Sequence, residues 1–339
     1  MAESRNLSKR SKFLYSGLYS CIYHPSPLCH RKIEEIKKVN TSMIGKVIRP
    51  TDSVLEWSNA HVLYKLDPDQ FYFIYPYELC EITPTEDSRK CPLVKKDQKL
   101  HLLKRPYASQ TLIRYMIQRK HKILLKDFLP KLKRLFEGLY LFHQHGYIHQ
   151  DIKTSNILEK KHEFRWIDFG ISLKKKDIYN LDVNAAFLNA DYVIHPPEYR
   201  YFSRYYYISK KIENIDTFVD NEWYLLHYIL TENKLRNIDL FQQFYTYEQF
   251  KESCTHLFQK LQGKSKGSIQ KLLTQNSTKV DIYSFGTVLL HLLPYIHLDD
   301  TLLSTSYKQL IHHMIQPNVF ERYNTKECLT LLNTMMKLI

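Results

Sequence analysis

Three oxygen-bearing side chains recur at short spacings in the middle of this 339-residue chain. Asn156 follows Asp151 after five residues, and Asp168 follows after a further twelve. Transfer of a phosphoryl group needs a carboxylate to orient the attacking hydroxyl and oxygen ligands to hold Mg²⁺ against the phosphates. Carboxylate and amide oxygens in this order supply both. The pattern therefore predicts phosphoryl-transfer chemistry.

Two short motifs carry these residues, H-Q-D-I-K-T-S-N at residues 149–156 and D-F-G beginning at Asp168. They resemble the catalytic loop H-R-D-x-x-x-x-N and the metal loop D-F-G of protein kinases. The resemblance implies that Asp151 accepts the proton of the attacking hydroxyl and that Lys153 contacts the transferred phosphate. It also implies that Asn156 and Asp168 bind Mg²⁺, with Mn²⁺ as an alternative. A polar loop with two turn residues is the competing interpretation, but two motifs at this distance favour a kinase.

A strand and a helix are predicted well upstream of these motifs. Residues 43–49 read as a strand in which Lys46 lies between apolar neighbours, as the phosphate-binding lysine does in the kinase motif V-A-I-K. Pro50 and the polar residues after it end this strand and cap a helix predicted to begin near Ser53. On that helix Glu56 would pair with Lys46 and fix it on the α- and β-phosphates of ATP. A solvated edge lysine and a surface glutamate are the alternatives.

Residues 13–23 alternate and are rich in β-formers, which predicts a hairpin. In protein kinases this position carries a Gly-rich loop whose backbone N–H groups cover the phosphates. Alignment through Ile22 places Gly17 on the second glycine, while Tyr15 and Ser20 replace the other two. Gly17, Ser20 and Ile22 are the predicted nucleotide contacts. A plain β-hairpin is equally compatible, because side chains limit how closely the backbone approaches a ligand.

Two further β-prone runs, residues 70–77 and 100–103, predict more strands of a small antiparallel sheet. The next residues, 104–107, stand where the resemblance places the hinge between two lobes. Hinge backbone groups hydrogen-bond the adenine edge in that family. Arg105 and Tyr107 are therefore predicted to lie beside ATP.

The segment H-P-P-E at residues 195–198 resembles the A-P-E that closes the kinase activation segment. In that family the glutamate forms a buried pair with an arginine near the C-terminus, which implies a pair between Glu198 and Arg322. Residues 279–293 resemble the central helix motif D-x-x-S-x-G. This implies that Asp281 anchors the backbone of the catalytic loop.

The resemblance covers roughly residues 13–335 and implies an α+β, bilobal fold with a small β-rich N-lobe and a larger, mainly helical C-lobe. Apolar residues at helical period predict a long helix over residues 128–143 that leads to the catalytic loop. The predicted divisions are a flexible N-terminus, an N-lobe, a C-lobe and a helical insertion within the C-lobe, at residues 1–12, 13–104, 105–339 and about 201–278. Helical patterns lie in this insertion and in two closing segments, at residues 221–231, 239–262, 302–314 and 329–336.

The formal net charge is +14, and 44% of the residues are hydrophobic. Lysine and arginine are spread along the chain rather than collected in a tail, so we expect a solvated surface and no nucleic-acid partner. The six cysteines form no C-x-x-C pair, which predicts reduced thiols in a cytosol-like compartment, without a zinc site or a disulfide framework. We expect no signal peptide and no membrane span, because no apolar run is long enough.

Lys153 and the P-P-E segment are similar to those of Ser/Thr rather than Tyr kinases, which implies transfer from ATP to Ser or Thr residues of protein substrates. Gln150 replaces the arginine that normally pairs with a phosphorylated activation segment, and this predicts activity without that phosphorylation. Asp191 stands where a threonine usually contacts the catalytic Asp and Lys. Stretches such as R-P-Y-A-S-Q-T-L and the long insertion resemble divergent Ser/Thr kinases of large nucleocytoplasmic DNA viruses. This implies the host cytoplasm or a virion.

A pseudokinase scaffold that binds partners through the insertion is the alternative from another class, and the incomplete Gly-rich loop supports it. Against it, the residues that a decayed enzyme tends to lose are all present, namely Lys46, Asp151, Asn156 and Asp168. A nucleic-acid-binding module that uses the positive charge lacks a recognisable motif. We therefore predict an active ATP-dependent protein Ser/Thr kinase.

Overall fold

The computed structural model forms two compact units. The first comprises Met1–Ser109 and Ile167–Gly170, and the second comprises Gln110–Trp166 and Ile171–Ile339. The residues that the structure describes are 11–17, 20–38, 42–82, 91–92, 99–180, 195–207, 215–232, 242–299 and 301–339. The first unit is built on a β-sheet and the second is mainly helical, so the chain has the α+β, bilobal kinase-like fold that the sequence predicts. The lobe boundary predicted after residue 104 stays a prediction.

A six-stranded antiparallel sheet is the frame of the first unit. Its strands are β1 Lys12–Ser16, β2 Ser20–His24, β3 Arg31–Glu35, β4 Met43–Ile48, β5 Glu78–Ile82 and β6 Leu100–Pro106. They lie in the order β1-β2-β4-β6-β5-β3. The hairpin predicted over residues 13–23 and the strand predicted over residues 43–49 are confirmed. β3 is an edge strand that the sequence pattern does not predict.

Both faces of this sheet are covered. On one face lies helix α1, Pro50–Leu66, whose Ser53 Oγ is 2.6 Å from Nδ1 of His101 in β6. On the other face a buried core includes Cys21, Val47, Cys80 and Leu102. Gly45 is required on that face, because a Cβ there would lie 2.7 Å from Cδ of Pro27. The segment that follows β2 therefore crosses the sheet in close contact with β4.

Helix α1 begins at Pro50, earlier than the predicted start near Ser53. Proline is favoured in the first helical turn, where its missing N–H has no helical partner to lose. The predicted polar cap is wrong, since α1 has no side-chain cap and Asp52 accepts a hydrogen bond from Arg49 Nε at 2.7 Å. The early start places Glu56 in the second turn of α1, only ten residues after Lys46 in the chain.

The strand predicted over residues 70–77 is wrong. The carboxylate of Asp67, which follows α1 directly, accepts hydrogen bonds from the backbone N–H groups of residues 71–73. Gln70 has a φ of 54°, so the chain turns at this point. The aromatic residues that suggest a strand serve as core residues instead, and Tyr75 is only 1% exposed. A side-chain carboxylate thus takes the N–H groups that a neighbouring strand would have used.

Nine α-helices and seven short strands are described in the second unit. The helices are α2 Leu112–Ile117, α3 Leu125–Gln144, α4 Pro197–Tyr207, α5 Ile215–Glu232, α6 Tyr247–Leu261, α7 Lys266–Gln275, α8 Thr278–Leu292, α9 Leu302–Met314 and α10 Thr325–Met335. The strands are β7 Gln110–Thr111, β8 Ile123–Leu124, β9 Tyr147–Ile148, β10 Ile157–Lys160, β11 Glu163–Trp166, β12 Leu173–Lys174 and β13 Ile296–His297. They form the small sheets β11-β10-β7, β12-β9 and β13-β8.

These helices confirm the predicted helix over residues 128–143 and the two closing helices. Within its described part the insertion is helical, as predicted, and consists of the end of α4 with α5, α6 and α7. Among all the helices that the structure describes, none has the length and apolar character needed to cross a bilayer.

Four of the six cysteines are paired, so the prediction of reduced thiols without disulfides is wrong for them. Cys21 bonds Cys91 and Cys29 bonds Cys80, with Cα atoms 5.8 and 5.5 Å apart, within the usual disulfide range. The partners are 70 and 51 residues apart in the chain, so their spacing gives no local signal. Cys254 and Cys328 are free and buried. The argument for a reducing compartment therefore loses its support.

Candidate active site

Lys46 lies at the centre of a charge cluster in the first unit. Its Nζ donates hydrogen bonds to Glu56 Oε2 and to Asp168 Oδ1, each at 2.7 Å. Strand β4 holds Lys46 on the face that packs against α1, and α1 presents Glu56 to it. The structure therefore brings together three residues that the sequence analysis singled out, although Asp168 is 122 residues away in the chain.

Burial and charge act in opposite directions in this cluster. Burial by itself lowers the pKa of Lys46, but the two adjacent carboxylates outweigh it, so the pKa lies above its ordinary value. Burial raises the pKa of Glu56, and the Lys46 ammonium opposes that rise only in part. One ammonium shared between two carboxylates stays charged at physiological pH. A permanent cation is what a phosphate-binding lysine requires.

The metal loop is held in place by a residue that the sequence analysis missed. Asn59 is buried in α1 and donates a hydrogen bond from Nδ2 to the backbone oxygen of Phe169 at 2.8 Å. Asp168 has a φ of 65°, a conformation that non-glycine residues rarely adopt and that concentrates at functional sites. Asn59 follows Glu56 by three positions, so both side chains lie on one face of the helix. This three-residue spacing within the predicted helix was the signal in the sequence that could have identified Asn59.

The hairpin β1–β2 contains Gly17, Ser20 and Ile22, the predicted nucleotide contacts. The backbone N–H of Gly17 donates to Ser20 O at 2.8 Å and closes the turn. Ile22 lies opposite Lys46 in the β2–β4 pairing and so shares its face of the sheet. Residues 18–19, at the tip of the predicted loop, lie outside the described residues. Contact between this hairpin and ATP stays a prediction.

The hinge predicted over residues 104–107 begins inside β6, which pairs with β4 through Pro106, and the contact of Arg105 and Tyr107 with ATP stays a prediction. Arg105 lies opposite Ile44 within the sheet, and burial lowers the pKa of its guanidinium. The backbone N–H of Tyr107 donates to Ser42 O at 3.0 Å. The backbone of residues 104–107 is therefore hydrogen-bonded within the sheet or at its edge. The β-prone run at residues 100–103 does not predict that the strand extends this far.

The predicted catalytic residues of the second unit form a compact cluster of their own. Lys153 Nζ lies 2.9 Å from both carboxylate oxygens of Asp151. Asn156 Nδ2 donates to Asp151 Oδ2 at 2.7 Å and to its backbone oxygen at 2.9 Å. The short 3₁₀ helix Thr154–Asn156 brings the amide back toward the aspartate. Asp151 is thus held by two side chains that lie two and five residues further on in the same loop.

Asp281, at the start of α8, organises the backbone of this loop. Its buried carboxylate accepts hydrogen bonds from the backbone N–H groups of His149 and Gln150, at 2.7 and 2.9 Å. His143, at the end of α3, contributes a third contact, with Nε2 2.9 Å from Asp281 Oδ2. One carboxylate from the central helix therefore fixes the path of the chain immediately before Asp151.

Gln150 connects the catalytic loop to two other segments of the second unit. Its Nε2 donates to Ile171 O at 2.6 Å, and its Oε1 accepts from Tyr199 Oη at 3.0 Å. The residue is fully buried and has a φ of 66°. A neutral amide thus bridges the segment after the metal loop and helix α4, at the position where the sequence resemblance expects an arginine.

Two buried ion pairs hold helix α4. Arg322 Nη1 and Nη2 contact the two carboxylate oxygens of Glu198 at 2.7 and 2.9 Å, so the structure brings this predicted pair together. The second pair, Arg200 with Glu222 of α5, was missed by the sequence analysis, because no motif links these positions. It ties the insertion to the segment that follows P-P-E. Asp191, predicted to stand in place of the threonine that contacts the catalytic Asp and Lys, lies outside the described residues.

His195 is expected to make the protein sensitive to mild acid. Burial lowers its pKa to about 4, and the neutral ring donates from Nε2 to Gln150 O at 3.0 Å. Because the folded-state pKa lies below the unfolded value, the unfolded state binds more protons as the pH falls. Stability is therefore complete above about pH 6.5 and declines toward pH 4, by about 3 kcal/mol for this residue.

The measurement is urea unfolding of wild type and His195→Gln between pH 4 and 7. The glutamine retains an N–H donor for Gln150 O but does not titrate, so we expect a shallower loss of stability toward low pH. A pH dependence equal to that of wild type would contradict the assignment.

Comparison with known protein families agrees with this geometry. The family model described as the protein kinase domain matches residues 90–199, which include the catalytic loop, the metal loop and Glu198. Together with the fold, the match supports a protein kinase that uses ATP, a divalent metal and protein substrates. The matched range is less than half of the chain, and Lys46, Asp281 and Arg322 lie outside it. No curated protein matches the chain.

Proposed function

We propose that the protein is a Ser/Thr protein kinase that transfers the γ-phosphoryl group of ATP to Ser or Thr hydroxyls of proteins. The observation that carries the proposal is the Asp151 cluster, in which a carboxylate is held by Lys153 and Asn156. A positioned carboxylate next to an ammonium serves a reaction in which a hydroxyl loses a proton while negative charge moves between phosphates. The match to the protein kinase domain covers this cluster.

Each residue of the cluster has a separate proposed role. Asp151 orients the attacking hydroxyl and accepts its proton. Lys153 is 34% exposed at its side chain, so its ammonium can leave Asp151 and meet an incoming phosphate. In the first unit, Lys46 binds the α- and β-phosphates of ATP while Glu56 keeps it in position.

The proposed metal ligands offer donor atoms that suit Mg²⁺ or Mn²⁺. Asp168 provides carboxylate oxygens on a side chain that is 35% exposed. Asn156 uses its amide N–H groups on Asp151, which leaves its carbonyl oxygen as the metal-binding atom. Oxygen donors are what Mg²⁺ prefers. A bound divalent ion would neutralise phosphate charge, and binding such an ion is the proposed task of each residue.

The choice of Ser/Thr over Tyr rests on Lys153 and the P-P-E segment and remains part of the proposal. The viral origin and a host-cytoplasmic or virion location rest on short sequence resemblances and have the same status. A phosphoamino-acid analysis of labelled substrate distinguishes Ser and Thr from Tyr. Transfer of the γ-phosphate from ATP with Mg²⁺ to casein and myelin basic protein tests the activity itself. Absence of transfer together with absence of ATP binding would refute the proposed function.

We further propose that activity does not require phosphorylation of the activation segment, because Gln150 already bridges Ile171 and Tyr199 through neutral hydrogen bonds. Treatment with a broad-specificity protein phosphatase is expected to leave the transfer rate unchanged. Gln150→Ala removes both hydrogen bonds, and at about 1 kcal/mol each it is expected to lower the rate by up to about 30-fold.

Gln144→Ala, an exposed change at the end of α3, is the matched control and is expected to behave as wild type. A strong loss of activity after phosphatase treatment, or an unchanged rate in Gln150→Ala, would contradict this prediction.

A further inference from the structure

The edge strand β3 of the first unit is exposed at all five of its residues, and it contributes nothing to the buried core. Its position is nevertheless well defined. β3 pairs with β5, and backbone hydrogen bonds from His30 N to Glu81 O and from Ile36 N to Tyr77 O extend the pairing at both ends. The disulfide between Cys29 and Cys80 joins the same two segments. Burial of core side chains therefore does not explain why β3 is held at this edge of the sheet.

The register of β3 contains an irregularity that sets the direction of Glu34. Lys32 lies opposite Cys80, but Glu34, not Ile33, lies opposite Leu79. The extra residue is a β-bulge, a feature that redirects the side chains that follow it. With unbroken alternation Glu34 would lie opposite Glu78, where Glu35 now lies, on the other face of the sheet.

The bulge places Glu34 in one row with Lys46. Across the sheet Glu34 lies opposite Leu79, Leu79 opposite Leu103, and Leu103 opposite Lys46. Directly opposite residues point to the same face. The row therefore has Glu34 at the β3 edge and Lys46 at β4, both on the face that α1 covers.

Both of these row members bind α1. Glu34 Oε2 accepts a hydrogen bond from Trp57 Nε1 at 2.6 Å, and Glu34 Oε1 lies 2.9 Å from His61 Nε2. Trp57 and His61 are one helical turn apart, and their rings are in edge contact at 5.2 Å. Trp57 is the residue after Glu56, which binds Lys46 at 2.7 Å. The helix is thus attached to the sheet at two separated strands through adjacent residues.

We propose that Glu34 is a positioning residue, which holds α1 from the edge strand in the orientation in which Glu56 reaches Lys46. The buried indole N–H of Trp57 needs an acceptor, and a carboxylate supplies a strong one. Because Trp57 and Glu56 belong to one rigid helical turn, fixing one fixes the other. The effect on phosphoryl transfer rests on the proposed kinase function, whereas the effect on α1 does not.

The test is hydrogen–deuterium exchange of the α1 backbone in the full chain, comparing Glu34→Ala with the matched control Glu35→Ala. Glu35 is one residue along the same strand, faces the opposite side and pairs with Lys32 at the surface. We expect exchange in α1 to become about tenfold faster in Glu34→Ala, as for the loss of one hydrogen bond to a charged group, and to stay unchanged in Glu35→Ala.

Two further variants separate a positioning role from general loosening of the strand. Glu34→Gln retains an oxygen that can accept from Trp57 and is expected to restore most of the protection. Trp57→Phe retains an aromatic ring but loses the pyrrole ring with its N–H, so Glu34→Ala combined with it should accelerate exchange by less than the product of the two single effects. In a transfer assay, Glu34→Ala should lower kcat and leave the KM for the protein substrate unchanged.

The possible results separate this inference from the proposed function. Wild-type exchange in Glu34→Ala, or equal acceleration in Glu35→Ala, would overturn it. Faster exchange with an unchanged kcat would also overturn it, because Glu34 would then not position Glu56 for the reaction. If wild type itself neither transfers phosphate nor binds ATP, the kinase proposal fails, and the exchange data alone decide whether Glu34 holds α1.

Discussion

Asp151→Asn is expected to lower phosphoryl transfer by about 10²–10⁴-fold, the range typical of a lost general base. Asparagine has almost the same shape as aspartate, but it accepts no proton at neutral pH and leaves Lys153 without its carboxylate partner. The contact from Asn156 to the backbone oxygen of residue 151 does not depend on the side chain. The fold and the affinity for ATP should therefore change little.

The measurement is γ-phosphate transfer to casein, with ATP affinity and thermal unfolding recorded for the same preparations. Asp127→Asn is a suitable control, because it makes the same chemical change at an exposed position in the first turn of α3. A transfer rate within about threefold of wild type in Asp151→Asn would contradict the general-base role, since that role requires at least about 10²-fold. Transfer by neither protein, with ATP still bound, would leave two interpretations, the scaffold alternative and an enzyme that requires its own substrate.

Loss of Glu198 is expected to destabilise the protein by about 3–5 kcal/mol, because it leaves the Arg322 guanidinium buried without a counter-charge. Both side chains of the pair are completely buried. Arg322 also donates to the backbone oxygens of Gln316, Pro317 and Lys279. The arginine thus joins α4, the start of α8 and the turn before α10. Arg322→Met should destabilise the protein at least as much as Glu198→Ala, because it removes the donor for these three carbonyl groups as well as for the carboxylate.

Urea unfolding followed by circular dichroism gives the free energies. The surface pair Lys133–Glu137 offers a matched control, since its side chains are 34% and 37% exposed. Glu137→Ala should cost less than about 1 kcal/mol. A loss of stability below about 1 kcal/mol for Glu198→Ala would show that solvent or another group compensates the charge of Arg322. The same variant should also disturb the neighbouring Arg200–Glu222 pair, because Arg200 follows Glu198 by two residues in α4.

Local patterns in the sequence determined the features that depend on neighbouring residues. The catalytic loop is one of them, because Asp151, Lys153 and Asn156 lie within six residues and contact each other through a single 3₁₀ turn. The amphipathic helix α3 is another, since apolar residues recur at helical period along its sequence. The D-F-G and P-P-E motifs were also recognisable, because each occupies consecutive positions.

Only the tertiary structure decided the features that depend on distant partners. The aromatic run after α1 is β-prone, yet the Asp67 carboxylate takes its N–H groups and turns the chain away from a strand. Cysteine pairs 70 and 51 residues apart have no signature in their spacing. Glu34 reaches α1 because a single bulged residue changes which face it occupies, and alternation in the sequence alone predicts the wrong one. Propensity and period describe what a segment prefers, whereas long-range hydrogen bonds, disulfides and register determine which preference is realised.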